Sequence, residues 1–264
     1  MTIIESIVLG AVQGLTEFLP VSSSGHLQIA KALLGVEIEE NLLFDVTLHA
    51  ATVLSTIVIF WAEIRRLLTG VFSRHFNQEQ AYILKLILSM IPIGIVGFAF
   101  KDHINALLES PYILSIVGGM LLLTATLLAF AYYARPRQKA DISYRDSFII
   151  GLSQAVAAMP GLSRSGTTIA TGILLGNKKS VVAQFSFLMV LAPIMGEMLL
   201  EVVGGQMSLG SIGTLPLVCG FVTAFVVGCL ACKFMISIVN RGKLIWFALY
   251  CAVVGVVAIV SNFL

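Results

Sequence analysis

Charge is what this chain lacks. Only 11% of its 264 residues are Asp, Glu, Lys or Arg, under half of the ~25% usual in soluble domains, and that scarcity excludes an ordinary cytosolic enzyme. With 58% of residues hydrophobic and a mean hydropathy of +0.98, no stretch is left for a sizeable soluble domain. The formal charge of +2 is too small to attract nucleic acid, and no acidic or disordered tail is present in the composition. Cysteine is also scarce. Cys219, Cys229, Cys232 and Cys251 all fall in the last apolar stretches, where free cysteine acts as a small hydrophobe. Cys229 and Cys232 have C-x-x-C spacing, but without a histidine or a second pair in their hydrophobic segment they read as packing rather than as a metal or redox site. The start, Met1-Thr2-Ile3-Ile4-Glu5, has no basic n-region and no cleavage site after it, so the chain is expected to begin at Met1 without a signal peptide.

What is present is a succession of apolar runs. Six are long enough to span a bilayer, at roughly 42 to 62, 82 to 100, 112 to 134, 181 to 202, 214 to 234 and 244 to 263. Two more are interrupted. The segment from about 3 to 34 is broken by Glu17, Pro20 and Ser22-Ser23-Ser24-Gly25-His26, and that from about 147 to 175 by Pro160 and Gly161-Leu162-Ser163-Arg164-Ser165-Gly166. Each half-segment is about 14 residues, too short to cross. Polar backbone at membrane depth is tolerated only inside protein or against a wet cavity, so both segments read as re-entrant helix-loop-helix hairpins.

The two hairpins match at one constant offset without a gap. Gly10, Gln13, Ser22, Ser24, Gly25, Leu33, Leu34, Gly35, Phe44 and Ala51 correspond to Gly151, Gln154, Ser163, Ser165, Gly166, Leu174, Leu175, Gly176, Phe185 and Ala192. The chain is therefore read as an internal duplication forming one structural domain, residues 1–140 and 141–264. Each half holds a hairpin and three spans, and an odd number of crossings inverts the second copy relative to the first. The expected fold is an all-α integral membrane protein with six transmembrane helices, two re-entrant hairpins and an inverted-topology repeat. Charge placement agrees with this topology. One side receives thirteen basic residues, Arg65, Arg66, Arg74, Lys85, Arg135, Arg137, Lys139, Arg145, Lys178, Lys179, Lys233, Arg241 and Lys243, and the other only Lys31 and Lys101. Cytoplasmic loops carry the Lys and Arg excess, so both termini are expected outside.

Arg164 belongs to neither side. An arginine near the bilayer centre costs about 2.5–3.5 kcal/mol on insertion scales, so it needs a partner or a wet cavity. A structural salt bridge to Glu17 is one reading. The other is an anion site, because Ser163, Ser165, Thr167 and Thr168 supply hydroxyls, Gly166 admits close approach to backbone amides, and a helix N-terminus follows. A guanidinium fork with such donors suits phosphate. Where the second hairpin has Ala158, Arg164 and Thr167, the first has Glu17, Ser23 and His26. Gln13 and Glu17, four apart, share a helix face, and Ser23 and His26 flank Ser24-Gly25. Carboxylate, hydroxyl and imidazole together provide parts for acid or base catalysis, a nucleophile, or ligation of a divalent cation.

The runs Gln13-Gly14-Leu15-Thr16-Glu17-Phe18-Leu19-Pro20-Val21-Ser22-Ser23-Ser24-Gly25-His26 and Pro160-Gly161-Leu162-Ser163-Arg164-Ser165-Gly166 closely resemble the two motifs of the undecaprenyl-diphosphate phosphatase family, also called bacitracin-resistance proteins. The resemblance extends over essentially the whole chain. It implies a multi-pass enzyme of the bacterial plasma (inner) membrane that hydrolyses undecaprenyl diphosphate to undecaprenyl phosphate and inorganic phosphate. That reaction recycles the lipid carrier for peptidoglycan and other cell-wall polymers. The resemblance also implies an active site opening to the extracytoplasmic face, help from a divalent cation (Mg2+ or Ca2+), and a polyprenyl diphosphate substrate reached through membrane lipid, and it leaves a homodimer open. By motif position the catalytic residues are Glu17, Ser23, His26 and Arg164. Substrate binding is expected from Gln13, Ser22, Ser24, Gly25, Ser163, Ser165, Gly166 and Thr167, and metal ligation from Glu17 and Gln13. At the first acidic position of the family's pattern this chain has Gln13, a weaker ligand that takes no proton, so the chemistry rests on Glu17.

In the expected mechanism Arg164, the serine hydroxyls and the helix amides hold the transferred phosphoryl group, Glu17 with Gln13 binds the cation, and His26 manages a proton. Ser23 either attacks phosphorus or positions a water. Inverted repeats with broken helices are also the pattern of secondary transporters, so a transporter or flippase for a lipid phosphate is the alternative. Among other polar groups, Asp45 and His49 read as neighbours of the cleft or as a helix-end pair. Glu5, Glu197 and Glu201 are expected at the interface, and Gly94, Gly97, Gly118 and Gly119 as close helix contacts.

Overall fold

The computed structural model describes residues 1–36, 42–108, 110–134, 138–203 and 212–262. Arg135 and Arg137, and the side chains of Lys101, Glu197 and Glu201, lie outside the described part, so their expected positions are not addressed. The described chain is all-helical. In order the helices are α1 (Ile3–Phe18), α2 (Ser23–Leu34), α3 (Leu42–Ile59), α4 (Trp61–Val71), α5 (Gln78–Ala99), α6 (Lys101–Leu108), α7 (Ile113–Tyr133), α8 (Tyr144–Val156), α9 (Arg164–Leu174), α10 (Lys179–Met189), α11 (Leu191–Val203), α12 (Thr214–Arg241) and α13 (Ile245–Ser261).

Among the described residues four helical runs are long and apolar enough to cross a membrane: α5, α7, α12 and Lys179–Leu200, which joins α10 to α11. A fifth arises only if α3 and α4 count as one span, and these two are bent by 76°. The expected unbroken run from 42 to 62 therefore stops at Ile59. The reason lies in α4, whose Glu63, Arg65 and Arg66 cannot continue into hydrocarbon, so its axis turns away. The last apolar helix, α13, has 17 residues.

Both interrupted segments form two helices around a sharp reversal. A capping box of Thr2 and Glu5 starts α1. It stops at Leu19, which is extended ahead of Pro20 because the pyrrolidine ring disfavours the helical conformation in the residue before it. Ser22 reverses the chain at φ 72, an unusual conformation for a residue with a side chain. In the second hairpin the reversal passes through Gly161 at φ +90, where a Cβ would lie 2.6 Å from the Val117 Cα. Ser163 then caps α9 by accepting from the Gly166 amide at 3.1 Å.

Each hairpin packs against a long helix of the other half. α1 lies on α12, where a Cβ on Gly14 would approach the Ala224 carbonyl to 2.7 Å and one on Gly10 the Gly220 carbonyl to 2.5 Å. α8 lies on α5, where a Cβ on Gly151, the counterpart of Gly10, would come within 2.8 Å of the Ser89 Cα. Small residues at these crossings let the backbones approach, which is how helices associate where no hydrophobic effect drives them together. Gly118 likewise meets Gly255 between α7 and α13, but a Cβ at Gly94, Gly97 or Gly119 would touch nothing within 4 Å. The expectation of close contacts at those three glycines is not met. Lys31, one of the two basic residues of the sparsely charged side, is 3% exposed and bonded to Asp45 on α3 at 2.6 Å, since an ammonium buried among apolar helices needs a carboxylate partner.

Candidate active site

Glu17 stands in the last turn of α1 and Arg164 opens α9, so the two hairpin reversals bring a carboxylate and a guanidinium face to face. Arg164 Nη2 is 3.8 Å from Glu17 Oε1, with the Glu17 side chain 8% exposed and that of Arg164 24%. Gln13, one turn earlier on the same face, donates its amide to Glu17 Oε2 at 2.9 Å. Ser23 and, on α3, His49 lie within electrostatic reach of the same carboxylate. Gln13, Glu17, Ser23 and Arg164 are thus brought together. At 3.8 Å the ion pair is too long for a charge-assisted hydrogen bond.

The loops hold each other. Ser165 Oγ donates to the Leu19 carbonyl at 3.4 Å, and a Cβ on Gly166 would sit 3.0 Å from the Pro20 Cβ. Within each loop the two framing serines pair, Ser22 with Ser24 at 3.5 Å and Ser163 with Ser165 at 3.4 Å. The Ser163 amide donates to Thr124 Oγ1 on α7 at 3.2 Å. Gly25 packs toward Val117. The Thr167 hydroxyl is buried without a partner, as is Gln13 Oε1.

His26 points elsewhere. Its Nδ1 is 2.9 Å from the Ser22 carbonyl and its Nε2 2.6 Å from the Tyr250 hydroxyl on α13, with the two rings stacked. Its side-chain bonds are to these two groups rather than to Glu17 or Arg164. Asp45 is taken by Lys31, and His49 Nδ1 bonds the Asp45 backbone carbonyl at 2.9 Å rather than its carboxylate.

A cavity opens beside Glu17, Arg164 and Ser165. Thr52, Thr56, Thr168 and Ser186 give it hydroxyls, and Phe18, Val53, Phe187, Val190, Leu191 and Ile194 give it apolar walls. The wall is rigid where Phe18 meets Phe187 at 5.8 Å between ring centroids in the main core. Two of these residues, Thr52 and Thr56, are not singled out by the sequence reading, although they continue from His49 at spacings of three and four as a polar stripe on one face of an otherwise apolar helix. Tyr250 gave a weaker signal, as a phenol in the middle of an apolar segment needs a partner.

A buried acceptor without a donor, Gln13 Oε1, next to a carboxylate suits a hard divalent cation, which takes oxygen ligands. Among the described residues no group of three or more His, Cys, Asp or Glu side chains is clustered to enclose a metal by itself. Phosphate oxygens and water complete such a shell where proteins bind Mg2+ through one or two carboxylates.

Comparison with known proteins assigns the chain. The family described as bacitracin resistance protein BacA matches residues 6–257. An undecaprenyl-diphosphatase of Bacteroides fragilis is 59% identical over 261 residues, covering 98% of this chain and 97% of that protein. One from Parabacteroides distasonis is 58% identical over the full length of both chains, and one from the more distant Oceanobacillus iheyensis is 35% identical over 98% of this chain and 96% of its own. With an all-helical fold, several helices able to cross a membrane and both hairpin motifs in contact, the chain belongs to the bacitracin resistance protein BacA family.

Proposed function

We propose that the chain hydrolyses undecaprenyl diphosphate to undecaprenyl phosphate and inorganic phosphate, recycling the lipid carrier of cell-wall synthesis and so conferring bacitracin resistance. The observation that carries this reading is the meeting of Glu17 and Ser23 from one loop with Arg164 from the other. The terminal phosphoryl group sits in the cavity beside Glu17, Arg164 and Ser165. Arg164, with the α9 amides and the Ser163 and Ser165 hydroxyls around it, stabilises charge on the equatorial oxygens. An oxygen nucleophile at Ser23 attacks phosphorus and undecaprenyl phosphate leaves: a water that Ser23 holds gives inorganic phosphate directly, whereas its own Oγ gives a phosphoserine that a second, water attack cleaves to release inorganic phosphate. Glu17, near that hydroxyl, is placed to receive the proton, and His26, three residues further along the loop, manages a proton as its motif position implies. Glu17 and Gln13 Oε1 would hold a Mg2+ or Ca2+ ion, which when bound neutralises diphosphate charge. The apolar wall formed by Phe18, Val53, Phe187 and Ile194 takes the first isoprene units, and the remaining tail stays in lipid.

In the membrane the chain makes six crossings with two re-entrant hairpins, the halves 1–140 and 141–264 are inverted copies, and the site opens outward. Support for the duplication comes from the matched packing of Gly10 on α12 and Gly151 on α5. The thirteen-to-two division of basic residues supports the orientation.

A transporter reading rests on the same inverted repeat, but the unequal chemistry of matched positions favours hydrolysis: Glu17 against Ala158, Ser23 against Arg164, His26 against Thr167. Detergent micelles have no second compartment, so a carrier has nothing to do in them. Purified protein in micelles is expected to release one phosphate per undecaprenyl diphosphate, and recovery of intact diphosphate would reject the enzyme.

A further inference from the structure

We propose that Tyr250 is a positioning residue for His26, fixing the tautomer and ring plane with which that histidine exchanges protons. The proposal rests on the phosphatase reading and adds to it a residue outside both motifs. A carbonyl oxygen only accepts, so the 2.9 Å contact of His26 Nδ1 with the Ser22 carbonyl places the ring proton on Nδ1. In the neutral ring Nε2 then carries the lone pair. The Tyr250 hydroxyl, 2.6 Å away, donates to it. Ring stacking at 5.6 Å between centroids, with 22° between planes, adds a second restraint from the same residue.

Both restraints come from places that are themselves held. Ser22, whose carbonyl orients Nδ1, is the residue at φ 72, and a non-glycine residue in that region stores strain of a kind that persists at functional sites when the surroundings over-determine it. Cys251, beside Tyr250, donates its thiol to the Pro20 carbonyl at 3.3 Å, so two successive residues of α13 grip the same loop. Val21 and Cys251 share one core cluster with Val117 and Leu121 of α7, and Gly118 and Gly255 lock α7 to α13. At the counterpart of His26 the second hairpin has Thr167, whose buried hydroxyl has no partner. The clamp is therefore built only where the imidazole is.

The phenol does not reach phosphorus in this arrangement; it acts through His26. In Tyr250→Phe the ring stack is kept and one hydrogen bond is lost, and a bond of that kind corresponds to about a tenfold change. The expected result is a kcat about tenfold lower with KM for undecaprenyl diphosphate unchanged, and a Tyr250→Phe/His26→Ala protein no slower than His26→Ala alone. A readout independent of turnover is the 15N spectrum of histidine-labelled protein, with the His26 Nε2 resonance assigned from its loss in His26→Ala. That resonance is expected to move in Tyr250→Phe. An unmoved resonance, an unchanged kcat, or a Tyr250→Phe loss that persists in full on His26→Ala overturns the proposal. If wild-type protein releases no phosphate, the phosphatase reading fails and the resonance alone decides the role of Tyr250.

Discussion

Arg164→Lys separates charge from geometry at the centre of the site. At an effective dielectric of 20, unit charges about 4 Å apart interact by about 4 kcal/mol before desolvation, and the Arg164–Glu17 separation is 3.8 Å. Lysine keeps that term and the folded pair with it. What it loses is the planar fork, the feature that matches two phosphoryl oxygens at once. Removing one donor aimed at developing charge costs about 10²–10³ in kcat, so Arg164→Lys is expected to turn over about 10²-fold more slowly while its thermal midpoint in detergent stays near that of wild type. Arg164→Ala adds a stability loss, because the Glu17 carboxylate, 8% exposed, is left without its cation. Phosphate release at saturating lipid diphosphate measures the first effect and thermal unfolding the second. An Arg164→Lys protein within about twofold of wild-type kcat would refute the assignment of the fork to the transition state.

Three further outcomes follow from separate parts of the molecule. Gly14→Val places methyl groups against the Ala224 carbonyl and Val227 and is expected to cost about 1–3 kcal/mol by overpacking, whereas Gly94→Ala, which faces open space, should leave the thermal midpoint unchanged. Asp146, in the first turn of α8, is buried, which by itself would raise its pKa. Bonds to its carboxylate from Lys139 at 3.0 Å and Asn177 at 3.1 Å outweigh burial and hold it below the ordinary carboxylate value. A depressed folded pKa contributes stability above the unfolded value of about 3.9 that is lost as pH falls through the folded one. The stability gap between wild type and Asp146→Asn should therefore be full near neutrality and close in acid. Chelation is expected to stop phosphate release until Mg2+ or Ca2+ is restored, and Gln13→Ala should raise the cation concentration needed.

The parts of the fold visible in the sequence were those fixed by local chemistry. Pro20 and the glycine-serine runs mark both reversals, and the constant offset between hairpins pairs Gly10 with Gly151, which the structure puts into equivalent close crossings. The bend after Ile59 was hidden because hydropathy continues smoothly through Phe60 and Trp61, and only the charges of α4 oppose it. In the site, Gln13, Glu17, Ser23 and Arg164 could be read from two motifs. Tyr250 could not, since a contact 224 residues away leaves no trace in spacing. The position of His26 had the same difficulty: three residues from Ser23 it can turn to either side, and the last helix decides which.

Glu17→Gln tests the shared site most directly. The amide keeps the shape of the carboxylate while removing the negative charge opposite Arg164 and the group that can take up a proton. Phosphate release from undecaprenyl diphosphate by this variant is expected to fall by about 10³ or more with the folded protein recovered from the membrane in normal yield. Turnover close to wild type would contradict a site built from the two hairpin loops.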